Sequence, residues 1–242
     1  MKLNVLLLIL AFTSTYPQPA STSVHPAQDP WKNEDYATLP DAQAIAKDIR
    51  AAAKLDTESG IDLPVGPYRD AVLAYREGFL TILMMRGYPV YPITDSERAQ
   101  IFSERLRSKR DAVSKFLFAL HILDFAIPSS EAQQNQILDL KNKSLRQTIF
   151  YQYDLGHFLA VIPLAEIYLS LQGQDTDFHP HLYLYHCYAF AEQLSEKERS
   201  PSLGSPSEIR RKKNFHQLRA AEIRFGKNSP EYSRINGLQQ SK

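Results

Sequence analysis

Apolar side chains recur along most of this chain at spacings of three and four residues. Val72, Tyr75, Phe79, Ile82 and Leu83 form one such series, and that spacing places them on one face of a helix over residues 68–86. Gly87-Tyr88-Pro89 ends it. Thr94 with Glu97 three residues later has the form of a capping box, so a second helix should run from there to about residue 126. Its first half is charged, and from 113 to 127 nearly every position is apolar, Phe116, Leu117, Leu120, Leu123 and Phe125 among them. A helix apolar all round is buried on most sides. The same reasoning applies to residues 158–171, FLAVIPLAEIYLSL. That stretch is too short for a bilayer, which needs about 20 apolar residues, and it contains Pro163 and Glu166.

The pattern predicts further helices over residues 42–54, 130–141, 144–171, 182–198 and 207–225. Ser129 or Ser130 caps the first of the central pair, and Ser207 caps the last helix. Pro163 should kink the long helix, because proline removes a backbone donor and crowds the preceding turn. Loops are expected at 60–67, 173–180 and 200–206, where Gly, Pro and Ser gather. No segment alternates apolar and polar residues as a half-buried strand does. Spacings near 34 residues do not bring a tetratricopeptide pattern into register. The fold class is therefore all-α, with six to seven helices in one orthogonal or array-like bundle.

The N-terminus adds an address. Met1 and Lys2 precede the apolar run VLLLILAF at residues 5–12, which is the form of a secretory signal peptide. Residues 1–15 are read as that leader, with Thr13 and Thr15 as the small residues before cleavage and Tyr16 as the first mature residue. The expected destination is secreted, periplasmic or the lumen of a secretory pathway. No cysteine lies near the run, so a bacterial lipoprotein is excluded. Residues 16–40 are proline-rich and poor in aliphatics, an extended linker that Trp31 and Tyr36 could pin to the body. A helical domain then fills residues 41–226, and residues 227–242 form a polar tail.

Composition narrows the function classes. The chain is 43% hydrophobic with a net charge of +1, so it is globular and has no bulk attraction to nucleic acid. Cys187 is the single cysteine, which rules out an intramolecular disulfide. Its aromatic neighbours point to a buried, inert thiol. Asn142-Lys143-Ser144 matches the N-glycosylation pattern; it applies only in a eukaryotic host and expects a surface loop.

Two polar sets invite chemistry. His121 and Asp124 are three residues apart, and so are Asp154 and His157 in the reverse order. On two antiparallel helices the four would come level and could ligate a transition metal. The competing reading is that each Asp and His satisfies the other inside the core, because an unmet buried polar group costs about 1–3 kcal/mol. Carboxylate-bridged di-metal bundles use several more carboxylates, and only Glu166 stands nearby in sequence. His179, His181, His186 and Cys187 lack the second cysteine of a standard zinc site and read as loop and cap residues. Glu166, in an apolar helix, is a candidate acid or the partner of a basic side chain. Arg146, near the start of its helix, is expected to be exposed.

Basic clusters stand at Arg105, Arg107, Lys109 and Arg110, and at Arg210, Arg211, Lys212 and Lys213. They read as solvated helix faces, with an anionic membrane surface as the functional alternative. Tyr183, Leu184, Tyr185 and Tyr188 spread around their helix, so some are expected to face outward, where aromatic residues serve as contact anchors. No dinucleotide, Walker, nucleophile-elbow or zincin motif is present. Binding of a protein partner is the expected role, with no cofactor. The alternatives are a metal protein or enzyme on the paired His/Asp helices, and a peripheral membrane protein held by the basic clusters.

Overall fold

The structure is a computed structural model that describes residues 63–86, 94–171 and 173–240. The leader, the proline-rich linker with Trp31 and Tyr36, and the helix expected at 42–54 lie outside the described residues. Seven α-helices and no strand occur among the described residues, so the chain is an all-α bundle. The helices are α1 (Pro67–Arg86), α2 (Asp95–Leu123), α3 (Glu131–Asp154), α4 (Phe158–Ser170), α5 (Phe178–Gln193), α6 (Pro206–Phe225) and α7 (Pro230–Gln240).

The helix ends follow local chemistry. Thr94 Oγ1 accepts from Glu97 N at 3.1 Å and Glu97 Oε2 accepts from Thr94 N at 2.9 Å, the reciprocal box its sequence predicts. Ser205, rather than Ser207, caps α6. Its hydroxyl accepts from Glu208 N, Glu208 reaches back to Ser205 N at 2.7 Å, and Pro206 supplies a first residue with preset φ. Asp177 caps α5 by accepting from His179 N, so the last three residues of the loop expected over 173–180 are helical.

The central break is displaced from where the sequence pattern puts it. Helix α3 runs unbroken through residues 142–144, where two helices were expected to meet. Ser144 there is fully buried, and Thr148 Oγ1 donates to Ser144 O at 2.8 Å. Nothing in that stretch breaks a helix; polarity alone suggested a loop. The interruption comes at Gly156, with φ +76°. Gly156 N donates to Tyr153 O and His157 N donates to Gln152 O, both at 2.9 Å, the paired bonds of a Schellman ending. Pro163, where a kink was expected, lies inside α4, which continues through it.

Contacts group the described residues into two compact units, residues up to Tyr151 and residues from Gln152 onward. In the first unit α1 packs along α2. Ala71, Val72, Tyr75, Phe79 and Ile82 of α1 meet Ala112, Val113, Phe116, Ala119 and Leu123 of α2, all buried. The ring centroids of Phe79 and Tyr75 lie 5.4 and 5.5 Å from that of Phe116. Gly78 permits this approach, because a Cβ there would stand 2.7 Å from Phe116 Cε1. The second half of α2 is buried along this one stripe only. Phe118, Phe125 and Ile127 are 53%, 58% and 89% exposed, contrary to the expectation of burial on most sides. An apolar sequence does not bury a face unless a neighbour covers it.

In the second unit α5 is the central element. It packs against α4 and α6, and α7 packs on α6. Leu182, Tyr183, Leu184, Tyr185, Cys187, Tyr188 and Ala191 are all buried. The outward-facing tyrosines expected on this helix are therefore core residues. The polar tail expected from 227 onward contains α7, whose Ile235 is buried. No helix among the described residues is long and apolar enough to cross a membrane.

Replacing Gly78 by Val should destabilise the α1–α2 pair by about 1–3 kcal/mol, the usual cost of overpacking. Gly237→Ala, with nothing within 4 Å of the added Cβ, should be neutral or slightly stabilising in its helix. Denaturant midpoints of the two variants provide the comparison.

Candidate functional site

Of the four residues of the candidate metal set, Asp124 and His157 lie outside the helical residues. Asp124 is the C-terminal cap of α2, beyond the helical residues, and takes Lys141 Nζ at 2.8 Å. The His121 ring stands edge-on to Phe125 at 5.2 Å. Asp154 is the last residue of α3, and Gly156 turns the chain so that His157 begins a new direction. His157 Nδ1 faces Gln152 Oε1 at 2.6 Å. Among the described residues no group of three or more His, Cys, Asp or Glu side chains gathers so as to hold a metal ion. Asn142 sits within α3 with a buried Oδ1, not in the surface loop that glycosylation would need. Cys187 is fully buried, and burial pushes its thiol well above the ordinary value.

The basic run of α6 is largely engaged inside the unit. Arg210 Nε donates to Glu192 Oε1 at 2.7 Å, and Lys213 Nζ pairs with the other oxygen of the same carboxylate. Lys212 Nζ donates to Glu166 Oε1 at 2.8 Å and to Tyr188 Oη at 3.1 Å. Tyr188 itself donates to Glu166 Oε1 at 2.6 Å. Arg211 remains exposed. Two carboxylates thus tie α6 to α5 and α4 through three of the four cations. Burial raises the Glu192 carboxyl, but the hydrogen bonds from Lys213 and Arg210 outweigh it and hold the group below its usual range. The cluster on α2 behaves differently: Arg107, Ser108, Arg110, Asp111 and Ser114 line a shallow polar depression with Thr81 of α1.

The most concentrated buried polar arrangement joins α5 to α6. His181 and His216 are both buried, and their Nδ1 atoms face each other at 2.9 Å. His181 Nε2 lies 3.3 Å from both the backbone oxygen and the Oδ1 of Asp175. Both are acceptors, so Nε2 carries the hydrogen and Nδ1 of the neutral ring offers its lone pair. His216 Nδ1 must then be the donor between the rings. Arg219 Nη2 holds the other Asp175 oxygen at 2.9 Å. The Tyr188 ring lies parallel to His216, 5.9 Å between centroids and 6° between planes. Burial lowers the His181 pKa despite the bonds His181 donates to Asp175. Burial, with the neighbouring His181 and Lys212 charges, pushes His216 down to about 3.

Sequence reasoning singled out His181 and missed Asp175 and His216. A signal for His216 existed. It stands seven residues after Ile209 and four before Ala220, on the stripe of α6 that is buried. Asp175 sits in a 3₁₀ turn over Gln174–Thr176, where no periodicity reports which way a side chain faces.

What these features define is a small helical protein with polar ties between core helices. A family model, FcpA, matches residues 92–241; the chain belongs to the FcpA family. The match runs from just before α2 through α7, and so includes the histidine pair and the exposed end of α2. No curated protein matches the chain.

Glu192→Gln should cost about 1–2 kcal/mol at pH 7, since one carboxylate serves two cations at partial exposure. Because the native carboxyl lies below its unfolded value, this contribution is present above about pH 4.3 and is lost as the pH falls further. The deficit of the variant against the wild type should shrink correspondingly in urea titrations at pH 7 and pH 3.5.

Proposed function

We propose that this member of the FcpA family is an exported protein that acts by binding a protein partner, and that the contact is made by the outer face of α2 and the turn after it. The observation that carries this reading is the exposure of Phe118, Phe125 and Ile127, with Leu138 of α3 also exposed. Phe118 and His121, three residues apart, share one stripe of α2, and Phe125, in the turn after the helix, stands edge-on to His121 at 5.2 Å. Large apolar side chains gathered on a surface mark an interaction site more often than scattered ones do, and aromatic anchors dominate such contacts. The partner would present an apolar patch of its own. Polar groups flank the stripe, with the Lys141–Asp124 pair on one side and Asp111 and Ser114 a turn earlier on the helix.

The membrane alternative draws on the basic clusters. Its weak point is α6, where Arg210, Lys212 and Lys213 already pair with Glu192 and Glu166 and so have less charge to offer anionic lipid. The metal alternative has no gathered ligand set among the described residues to draw on. Export rests on the sequence of residues 1–15 alone.

A photo-crosslinking residue at position 118 or 125, introduced in the native host, should give one discrete protein adduct that is absent when the residue stands at Arg211 on α6. Phe118→Asp should reduce the adduct formed from position 125 about tenfold or more while leaving the fold intact by circular dichroism. Equal labelling from 118, 125 and 211, or no adduct from either α2 position, would overturn the assignment. The intact mass of the protein recovered from its host should correspond to a chain beginning at Tyr16, and a chain retaining Met1 would remove the export half of the proposal.

A further inference from the structure

We propose that the contact between His181 and His216 is a proton-sensitive latch, holding α5 against α6 while the two rings carry at most one added proton and releasing them when both are protonated. The argument begins with proton positions. In the neutral pair, His181 Nε2–H faces Asp175 and His216 Nδ1–H donates to the lone pair of His181 Nδ1 across 2.9 Å. One added proton is tolerated: placed on His216 Nε2, it leaves the N–H···N bond between the rings intact. A second added proton has only His181 Nδ1 to occupy. Two N–H groups would then point at each other across 2.9 Å, each on a cation, inside the core. The rings must part.

The surroundings reinforce this. Neither ring can turn away freely, since both are buried. Asp175 and Arg219 hold the His181 side, with Arg219 also bound to Glu222 at 3.0 Å. Lys212 lies on the His216 side, its ammonium bound to Glu166 of α4 and to Tyr188, and its charge opposes a cation on His216. Tyr188 covers one face of His216, and Phe215 stands edge-on beside both histidines. Helix α7 reaches α6 through Gln239, at Asn214 O and Gln217 Oε1, on residues that flank the histidine. Among the described residues the anion bonded to the pair is Asp175, which contacts His181 and whose charge also favours, against the larger opposing effects, a cation on His216.

Release is linked to pH with a definite sign. Freed rings have ordinary pKa values near 6.5, so the open state binds more protons than the latched one below that pH. The latch is thus fully closed above about pH 6.5 and weakens as the pH falls. The open state holds at least one more proton than the latched state, so the opening constant should rise at least tenfold for each pH unit. The segment released would be Asp175 with its turn, together with the face of α6 that carries His216 and Arg219.

Hydrogen exchange of the full-length chain, read by mass spectrometry between pH 7 and pH 4.5 and corrected for intrinsic rates, tests this directly. Protection in peptides from α5 and α6 should fall about a hundredfold between pH 6.5 and pH 4.5, with α1 and α2 as the internal reference losing far less. In His216→Gln that slope should be reduced to at most a tenth of the wild-type change. Should this variant fail to fold, ¹⁵N imidazole spectra of the wild type decide the matter. At pH 7.5 they should show His181 protonated on Nε2 and His216 on Nδ1. Both rings titrating near 6.5 with protection unchanged, or an equal pH slope in His216→Gln, would overturn the latch.

Discussion

The burial of α5 is the constraint on which the second unit depends. Its seven buried residues from Leu182 to Ala191 face α4 on one side and α6 on the other, so neither neighbour can be removed without exposing aromatic and aliphatic surface to water. Because three of those residues are tyrosines and buried His181 adjoins them, burial brings polar atoms into the core, where such groups call for partners. Tyr188 finds Glu166 and Lys212; His181 finds Asp175 and His216. The polar ties between helices are consequences of a tyrosine-rich helix at the centre.

The first unit solves the same problem with apolar contact. Phe79, Tyr75 and Phe116 interlock where Gly78 lets α1 and α2 approach, and the buried stripe contains no charged group. What this unit leaves open is the opposite side of α2. The same apolar run supplies both the buried Phe116 and Leu123 and the exposed Phe118 and Phe125. The interlocked face stabilises the fold, and the open face is where we place partner binding.

Much of the helix inventory was legible from periodicity and capping, and the places where the reading failed have physical causes. The box at Thr94–Glu97 was found because both halves of its hydrogen-bond pair are coded three residues apart. The false break at 142–144 arose because polar residues resemble a loop, although α3 can bury Ser144, Gln147 and Thr148. The true break rested on Gly156 alone, whose positive φ costs a glycine little. At the candidate sites, spacing along one helix paired His121 with Asp124 and Asp154 with His157 but could not show that Asp124 and His157 fall outside their helices.

By itself the sequence determined that the chain is helical, where most helices begin, and that one buried cysteine forms no internal disulfide, because these depend on local hydrogen bonding, steric preference and residue counts. Tertiary structure decided which face of each apolar helix is covered. It also decided that four tyrosine and leucine positions spread around α5 are all inside, and that His181 meets a histidine 35 residues away. Those outcomes depend on which surfaces meet, and helical periodicity fixes the direction of a side chain around its own axis without naming what it will face.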